Sequence, residues 1–307
     1  MALLLDIMKL IRKGKVKEVY EVDGRELEFR FTDDISVFDK VIPSTVPRKG
    51  ESICKTSAFW FEKLSSLDVK THYISMPAAN VMRVKRVNVI HDYDKINADT
   101  RNFLIPLEVI CRHYIAGSLN DKILRGEITG EMLGFEAGHV PKYGEKLPRP
   151  MIEFTTKLEP VDRKLTEEGA LEISGLSRDE LSKIKDIVLL IDRIIAEVAG
   201  ANNLIHVDGK KEFGMDENRN IMLLDTFGTL DEDRWWDMDK WQEGKINELS
   251  KEFVRMHYRK IGYFDKLENA RKKGLPEPDI PALPEDVILQ TTELYMRMYE
   301  RITGRKL

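Results

Sequence analysis

The stretch from Leu204 to Trp236 constrains the fold of this chain most, because charged and apolar side chains alternate along it. Successive side chains of a strand point to opposite faces, so Asp208, Lys210 and Glu212 would share one face. Two carboxylates beside a lysine can hold a divalent cation that bridges phosphate oxygens. A solvated strand face with ordinary ion pairs accounts for the same pattern, and the spacing alone leaves both interpretations open.

A hairpin is predicted directly after this run. The segment Met215 to Asn220 is rich in Asp, Glu and Asn, which are typical turn residues. The apolar strand that returns ends on Asp225. We therefore expect Asp225 to lie near Glu212.

Length and composition describe a globular chain. Its 307 residues are enough for about two domains with cores of their own. Hydrophobic residues make up 42% and charged residues 33%, which argues against extensive disorder. The net charge of −4 gives no reason to expect nucleic acid or an anionic membrane as a partner. No apolar run reaches the ~20 residues that a membrane span needs.

Cysteine usage favours a reducing compartment. Cys54 and Cys111 are far apart and form no Cys-x-x-Cys pattern, so we expect neither a disulfide framework nor a zinc site. The opening run Met1 to Leu10 is interrupted by Asp6, and no small-residue cleavage site follows. It predicts a strand or helix and not a secretion signal, and a cytoplasmic location.

Two further segments carry groups that suit phosphate. Gly14 precedes Lys15 and Lys17 at the start of a predicted hairpin, where backbone and ammonium groups could approach a nucleotide. Surface lysines are the simpler interpretation of that segment alone. A buried strand delivers Arg112 just before a tight turn at Ser118, a combination that could bind an anion. A structural arginine beside a helix cap is an equally good interpretation.

Three helices are predicted from caps and apolar spacing. One runs from Ser52 through Leu64, and one begins with the capping box of Ser177 and Glu180. That second helix would end just before Gly200. The last would begin at Pro284 and end before Gly304.

The order and wording of these motifs resemble the SAICAR synthase (phosphoribosylaminoimidazole-succinocarboxamide synthase) family of purine biosynthesis, in its longer form. The resemblance covers nearly the whole chain and is most specific between Pro106 and Leu119. The other matching blocks are Gly14 to Tyr20, Asp33 to Asp39, Lys49 to Phe61, Thr155 to Glu159, Val207 to Gly214, Asp225 to Trp236 and Leu283 to Gly304.

This resemblance implies a two-lobed α+β fold related to ATP-grasp enzymes, with the nucleotide bound between the lobes. Residues 1–105 would form an N-terminal nucleotide-binding lobe, and residues 106–307 a C-terminal substrate and metal lobe with a helical wrap. The implied enzyme joins L-aspartate to carboxyaminoimidazole ribotide (CAIR), giving SAICAR, ADP and phosphate through an acyl phosphate. ATP is a substrate, Mg²⁺ is the expected metal, and the sequence leaves a homo-oligomer open.

The resemblance also implies roles for residues at matching positions. These are nucleotide binding by Lys15, Lys17, Lys85 and Glu108, substrate binding by Arg112, Ser118, Lys157, Asp162 and Arg234, catalysis by Asp208 and Lys210, and Mg²⁺ coordination by Glu212 and Asp225. Asp208 is also a candidate general base for the incoming amine.

Several positions depart from the family pattern. Thr226 stands where a second acidic residue is usual, and Gly209 and Lys211 replace Thr and Phe in the block Asp-Thr-Lys-Phe-Glu. Glu232 and Asp233 replace serines just before the closing arginine. Acidic groups beside a phosphate site are unfavourable unless they point away. We interpret these changes as marks of a divergent branch that keeps its activity.

Three other functions are alternatives to this ligase. A related ATP-dependent carboxylate–amine ligase with a changed substrate is the nearest. A small-molecule kinase would release ADP without aspartate. A non-catalytic nucleotide-binding module would have no need of the acid–lysine–acid face.

Overall fold

The computed structural model describes residues 8–307, which form both strands and helices. The strands are β1 (Lys9–Lys13), β2 (Lys17–Glu21), β3 (Glu26–Phe31), β4 (Asp34–Val37), β5 (Lys40–Thr45), β6 (Tyr73–Ala78), β7 (Val81–Lys85), β8 (Phe103–Tyr114), β9 (Lys146–Thr156), β10 (Lys164–Leu165), β11 (Leu204–Met215), β12 (Ile221–Leu224) and β13 (Asp233–Asp237). The helices are α1 (Lys49–Leu64), α2 (Gly117–Leu124), α3 (Glu167–Ser174), α4 (Arg178–Ala201), α5 (Met238–Gln242), α6 (Glu252–Lys260), α7 (Tyr263–Lys273) and α8 (Glu285–Thr303). The predicted α+β class is confirmed.

The contacts divide the chain into two compact units. The first contains the described residues up to Phe59 together with Tyr73–Arg86 and Leu249–Leu307. The second contains Trp60–His72 and Val87–Glu248.

The first unit contains a five-stranded antiparallel sheet in the order β1-β2-β3-β7-β6 and the small hairpin β4-β5. The hairpin predicted after Gly14 is formed by β2 and β3, which are connected by a turn that contains Asp23 and Gly24. Expectations for residues 1–7 lie outside the described residues. From Lys9 onward the opening segment forms β1.

Helix α1 begins three residues earlier than predicted. The Asp33 carboxylate accepts hydrogen bonds from the backbone N–H groups of Arg48 and Gly50, at 3.2 and 3.0 Å. It therefore satisfies donors that the first helical turn leaves without a partner. A cap supplied from fifteen residues upstream leaves no signal in the local sequence.

The C-terminal helices pack within the first unit. The Ser52 hydroxyl donates to the Tyr295 carbonyl oxygen at 2.9 Å, and the Leu283 N–H donates to the Ser44 hydroxyl at 3.0 Å. The family resemblance places residues 249–307 in the C-terminal lobe, whereas their contacts group them with the first unit. Helix α8 ends as predicted before Gly304, whose φ of 69° is the left-handed value that glycine favours at a helix end.

The second unit is built on a six-stranded antiparallel sheet in the order β10-β9-β8-β11-β12, with β13 also paired to β11. Strand β11 pairs with β8 along one edge. Along its other edge, β13 pairs with the first half of β11 and β12 with the second half. The predicted hairpin between β11 and β12 is confirmed. As a result, β11 is buried along nearly its whole length.

Helix α4 covers one face of this sheet. Its capping box is formed as predicted, with Ser177 accepting from the Glu180 N–H and Glu180 accepting from the Ser177 N–H. The helix continues to Ala201, so Gly200 lies inside its last turn and the predicted end is wrong by two residues. Its buried side chains include five aliphatic residues and one charged residue, Asp192.

Within residues 8–307, no helix is both long enough and apolar enough to cross a membrane.

Candidate active site

Strand β11 presents charged side chains on both of its faces. Asp208, Lys210 and Glu212 occupy one face, as the alternation predicted, and Lys211 points to the other, towards α4. The register places Asp208 opposite Arg112 of β8 and opposite Arg234 of β13. Three strands therefore deliver the charged groups of one site.

The first group of contacts, here called the arginine cluster, is centred on Asp208. Arg112 Nη1 and Arg234 Nη1 both donate to Asp208 Oδ2, at 3.1 and 2.6 Å. Arg112 also donates through Nη2 to the Ser118 hydroxyl at 3.0 Å and through Nε to Glu153 at 2.6 Å. Predicted substrate-binding residues Arg112, Ser118 and Arg234 are thus brought together around one carboxylate.

Two lysines complete the arginine cluster. Lys122 of α2 and Lys164 of β10 both reach Glu153 Oε1, at 3.2 and 2.9 Å. The Arg234 guanidinium packs against the backbone of Gly117, where a Cβ would overlap it and where φ is +50°. Glycine at this position therefore lets the cationic group approach the start of α2 closely.

The surrounding cations hold both carboxylates of the arginine cluster in the ionised form. Burial alone would raise the pKa of Glu153, but Arg112 and the two lysines lower it to about 2. The pKa of Asp208 is also lowered, because Arg234 and Arg112 outweigh the effect of its burial. A carboxylate with a lowered pKa is a weaker base, so this environment does not favour Asp208 as a general base.

The second group, here called the lysine cluster, is centred on Lys210. Its ammonium donates to Glu108 at 2.7 Å and to Glu212 at 3.0 Å, and it lies 3.2 Å from Glu232. Lys157 approaches the same Glu212 oxygen at 2.5 Å. We include Asp225 in this cluster because it directly follows Leu224, which pairs with Glu212, and interacts electrostatically with Lys157 and Glu212.

The two carboxylates that flank Lys210 have different electrostatic environments. Burial and the nearby charge of Glu212 raise the pKa of Glu108, although Lys210 opposes this shift. Burial would also raise the pKa of Glu212, but the ammonium groups of Lys157 and Lys210 outweigh it and lower the pKa. The pKa of Lys210 itself is raised by its three carboxylate neighbours, despite burial. Lys210 is therefore a permanent cation in this state, and Glu212 an anion.

A third polar group, here called the hidden-face network, lies on the opposite face of β11. Lys211 forms ion pairs with Asp192 of α4 and, at 3.6 Å, with Asp233 of β13. His206 Nε2 lies 2.6 Å from Asp233, and His113 Nε2 lies 3.0 Å from Asp192. The side chains of Lys211, Asp192, Asp233 and His206 have no solvent exposure.

Cys111, His113 and Asp192 of this network also lie close enough together to share a metal ion, with their ligand atoms within 4.8 Å of one another. The ammonium of Lys211 already contacts Asp192, and it supplies the positive charge that a metal would bring. Burial raises the pKa of Cys111 and so keeps its thiol protonated, a form that is a poor ligand. We therefore assign no metal to these three residues.

The structure accounts for the acidic residues before Arg234. Asp233 points to the hidden face, away from the arginine cluster, which is the orientation that a phosphate site requires. Glu232 instead reaches Lys210 and becomes part of the lysine cluster.

Four other predicted site residues are not members of the two clusters. Lys15 pairs with Asp39 at 2.7 Å, and Lys17 lies over the Phe29 ring at 4.2 Å from its centroid, both in the first unit. Lys85 is exposed at the end of β7. Asp162 is exposed in the turn between β9 and β10. Their binding roles stay predictions.

Sequence reasoning missed four residues of the two clusters, Lys122, Glu153, Lys164 and Glu232. Glu153 and Thr155 alternate with apolar residues, a period-two pattern that marks one face of a strand. That signal predicts the face of the strand on which Glu153 lies, but not the residue of β8 that it contacts. The two lysines come from separate elements, and no local pattern connects them to the site.

The comparison with known proteins assigns the chain to a family. The family model for SAICAR synthetase matches residues 10–270. This chain belongs to the SAICAR synthetase family. A SAICAR synthetase relative, the phosphoribosylaminoimidazole-succinocarboxamide synthase of Thermoplasma acidophilum, is 49% identical over 299 residues, covering 97% of this chain and 100% of the relative.

Solved structures of SAICAR synthetases agree with this assignment. A SAICAR synthase from Saccharomyces cerevisiae complexed with SAICAR superposes with a TM-score of 0.74 at 26% identity, covering 100% of this chain and 98% of that one. A SAICAR synthetase in complex with ADP gives a TM-score of 0.67 at 27% identity, covering 96% and 98%.

The arginine cluster predicts a specific pH dependence of stability. A carboxyl whose pKa is lowered from 4.5 to about 2 contributes stability that is fully present above pH 4.5 and is lost as the pH falls towards 2. We expect Glu153→Gln to lower the free energy of unfolding by about 3 kcal/mol at pH 7 but only about 1 kcal/mol at pH 3. Urea denaturation at pH 7 and pH 3 measures the free energy of unfolding, and Glu197→Gln on the exposed face of α4 is the control. Equal destabilisation at the two pH values would contradict the prediction.

Proposed function

We propose that this protein is an ATP-dependent ligase of purine biosynthesis that joins L-aspartate to the carboxyl group of CAIR, producing SAICAR, ADP and phosphate. Family membership supports the reaction, as do the names of its relatives. The charge of the two clusters is the observation that supports this proposal best. The two clusters on one face of β11 have opposite net charges, and each charge suits one part of this reaction.

The arginine cluster suits the phosphate of the ribotide. Its four cationic side chains surround two carboxylates, which leaves two positive charges in excess. A phosphate monoester is a dianion near neutral pH, so it would neutralise the cluster. Guanidinium groups also offer forked donors that match phosphate oxygens. We assign Arg112, Ser118 and Arg234 to this phosphate, and add Lys122 and Lys164.

The lysine cluster suits a divalent cation. It combines two ammonium groups with four carboxylates, which leaves two negative charges in excess. Carboxylate oxygens are the ligands that Mg²⁺ prefers, so Glu212 and Asp225 fit as the residues that would hold it. When bound, Mg²⁺ would neutralise charge on the phosphate oxygens of ATP. Thr226 follows Asp225 as a buried neutral residue and adds no further charge.

The proposed chemistry proceeds in two transfers. The carboxylate of CAIR attacks the γ-phosphorus of ATP, which forms an acyl phosphate and releases ADP. The amine of aspartate then attacks the acyl carbon, loses a proton and displaces phosphate, which leaves the amide. Such transfers depend mainly on positioning and on neutralisation of charge.

Asp208 and Lys210 act in this scheme through charge. Asp208 holds the guanidinium groups of Arg112 and Arg234 side by side, so that they meet the ribotide phosphate already oriented. Lys210 offers a permanent cation to the oxygens of the reacting carboxyl or phosphoryl group. We assign Lys157 to the same substrate, because its ammonium shares Glu212 with Lys210.

The proposal includes the nucleotide-binding roles of Lys15, Lys17 and Lys85, and a nucleoside contact for Glu108. Residues 1–105 are proposed as the nucleotide-binding lobe. The fold is proposed to be related to that of ATP-grasp enzymes. The SAICAR synthetase structure that contains ADP supports nucleotide use in this family. A cytoplasmic location fits a biosynthetic enzyme of this kind.

The decisive test is the release of ADP by purified protein with ATP, Mg²⁺ and CAIR, with and without L-aspartate. We expect sustained ADP release only when both substrates are present, together with a product that has the mass of SAICAR. Release without aspartate would favour a kinase. No release with CAIR but release with another carboxylate and amine would favour a ligase of changed substrate.

The metal assignment predicts the behaviour of Glu212→Gln. Removal of one carboxylate charge from the centre of the lysine cluster should lower kcat on the order of 100-fold and raise the Mg²⁺ concentration for half-maximal activity. Glu232→Gln is the matched control, because it also removes one carboxylate charge beside Lys210. It should lower kcat less than about tenfold. Mg²⁺ titrations of both variants measure the difference. Normal turnover by Glu212→Gln would show that the metal assignment is wrong.

The charge of the arginine cluster predicts the behaviour of Lys122→Met. Loss of one positive charge should raise the KM for CAIR about tenfold and leave the KM for ATP unchanged. Lys183→Met on the exposed side of α4 is the matched control. Initial rates over a range of CAIR concentrations provide the measurement, and an unchanged KM for CAIR would remove Lys122 from the phosphate site.

A further inference from the structure

The hidden-face network joins the same strands that build the arginine cluster, but from the other side of the sheet. We propose that Asp233 is a positioning residue, which anchors β13 to β11 through this network and thereby holds Arg234 on Asp208. The inference rests on the proposed function, because the phosphate-binding role of Arg234 belongs to it.

The Asp233 carboxylate is held on several sides. Its Oδ2 lies 2.6 Å from His206 Nε2 and 3.6 Å from Lys211 Nζ, and both partners belong to β11. Its Oδ1 accepts a hydrogen bond from the Gly228 N–H at 2.9 Å. The backbone N–H of Asp233 donates to the Thr229 carbonyl oxygen at 2.9 Å. One side chain therefore connects β13 to β11 and also closes the loop that precedes β13.

Gly209 makes this anchor possible. It pairs with Asp233 in the register, and a Cβ at residue 209 would overlap the Asp233 carboxylate and approach the Lys211 ammonium. The Asp233 carboxylate occupies the space that the side chain of any residue larger than glycine would fill at position 209. His206 and Lys211 lie on either side of Gly209 along β11, so Asp233 is held from both directions along the strand.

Such an anchor matters because the backbone pairing between β13 and β11 is short. Strand β13 has five residues, and its pairing with β11 contains an irregularity between His206 and Asp208. A shift by one residue moves a side chain to the opposite face of a sheet. Arg234 directly follows Asp233, so fixing Asp233 on the hidden face directs Arg234 to the face that carries Asp208.

The charges allow the anchor to be tested without leaving a buried cation unpaired. Lys211 faces two carboxylates, Asp192 and Asp233. Replacing either one by asparagine leaves the other to neutralise the ammonium. Each substitution removes one fully buried carboxylate charge beside Lys211. Only Asp233 belongs to β13.

The experiment compares Asp233→Asn with Asp192→Asn in the full chain. We expect Asp233→Asn to raise the KM for CAIR about tenfold, with kcat changed less than threefold and the KM for ATP unchanged. Asp192→Asn should keep the KM for CAIR within twofold of the wild type, although we expect it to unfold at a lower temperature than the wild type. An equal rise in both variants, or no rise in Asp233→Asn, overturns the proposal.

Two further measurements cover the remaining outcomes. If Asp233→Asn does not fold, His206→Gln removes one of the two β11 contacts and should raise the KM for CAIR about threefold; no rise overturns the proposal. If the wild type does not turn over CAIR, the proposed function fails instead. A crystal structure of a folded Asp233→Asn or His206→Gln variant then decides, because Arg234 still bound to Asp208 overturns the positioning role and displaced Arg234 supports it.

Discussion

The alternation of side chains along β11 is the constraint on which the rest of the second unit depends. Because this strand is central, each of its charged residues must find partners on neighbouring strands or on α4. An unpaired charge in that position would cost several kcal/mol. The need for partners therefore determines which residues β8, β9, β13 and α4 must supply, and it separates two active-site clusters on one face from a sealed network on the other.

The features that the sequence predicted well are those whose signal is local. The hairpin after Met215 and the capping box at Ser177 are specified by residues within a few positions of each other, and the structure forms both. The start of α1 was misplaced because Asp33 caps the helix from a distant segment. The grouping of α8 with the first unit likewise depends on long-range contacts, such as that between Ser52 and Tyr295.

The candidate site shows the same difference between features with a local sequence signal and features that depend on long-range contacts. Strand periodicity placed Asp208, Lys210 and Glu212 on one face, and the family resemblance supplied Arg112 and Arg234. Periodicity cannot state which residue of a neighbouring strand lies opposite, because the register of β8 on β9 is set by the whole sheet. The contact of Arg112 with Glu153, and the arrival of two lysines at the same carboxylate, therefore required the structure.

Three of the departures from the family pattern, Gly209, Lys211 and Asp233, are best understood as one coupled set. Lys211, in place of a phenylalanine, buries an ammonium that needs carboxylate partners, and Asp233 buries a carboxylate that needs cationic or hydrogen-bonding partners. Together they neutralise each other, with Asp192 as a second partner, and Gly209 provides the space in which they meet. Effects of residues that share one network do not add, so the contribution of each member to stability depends on the others. The active-site face of β11 keeps its acid–lysine–acid pattern because this exchange is confined to the opposite face.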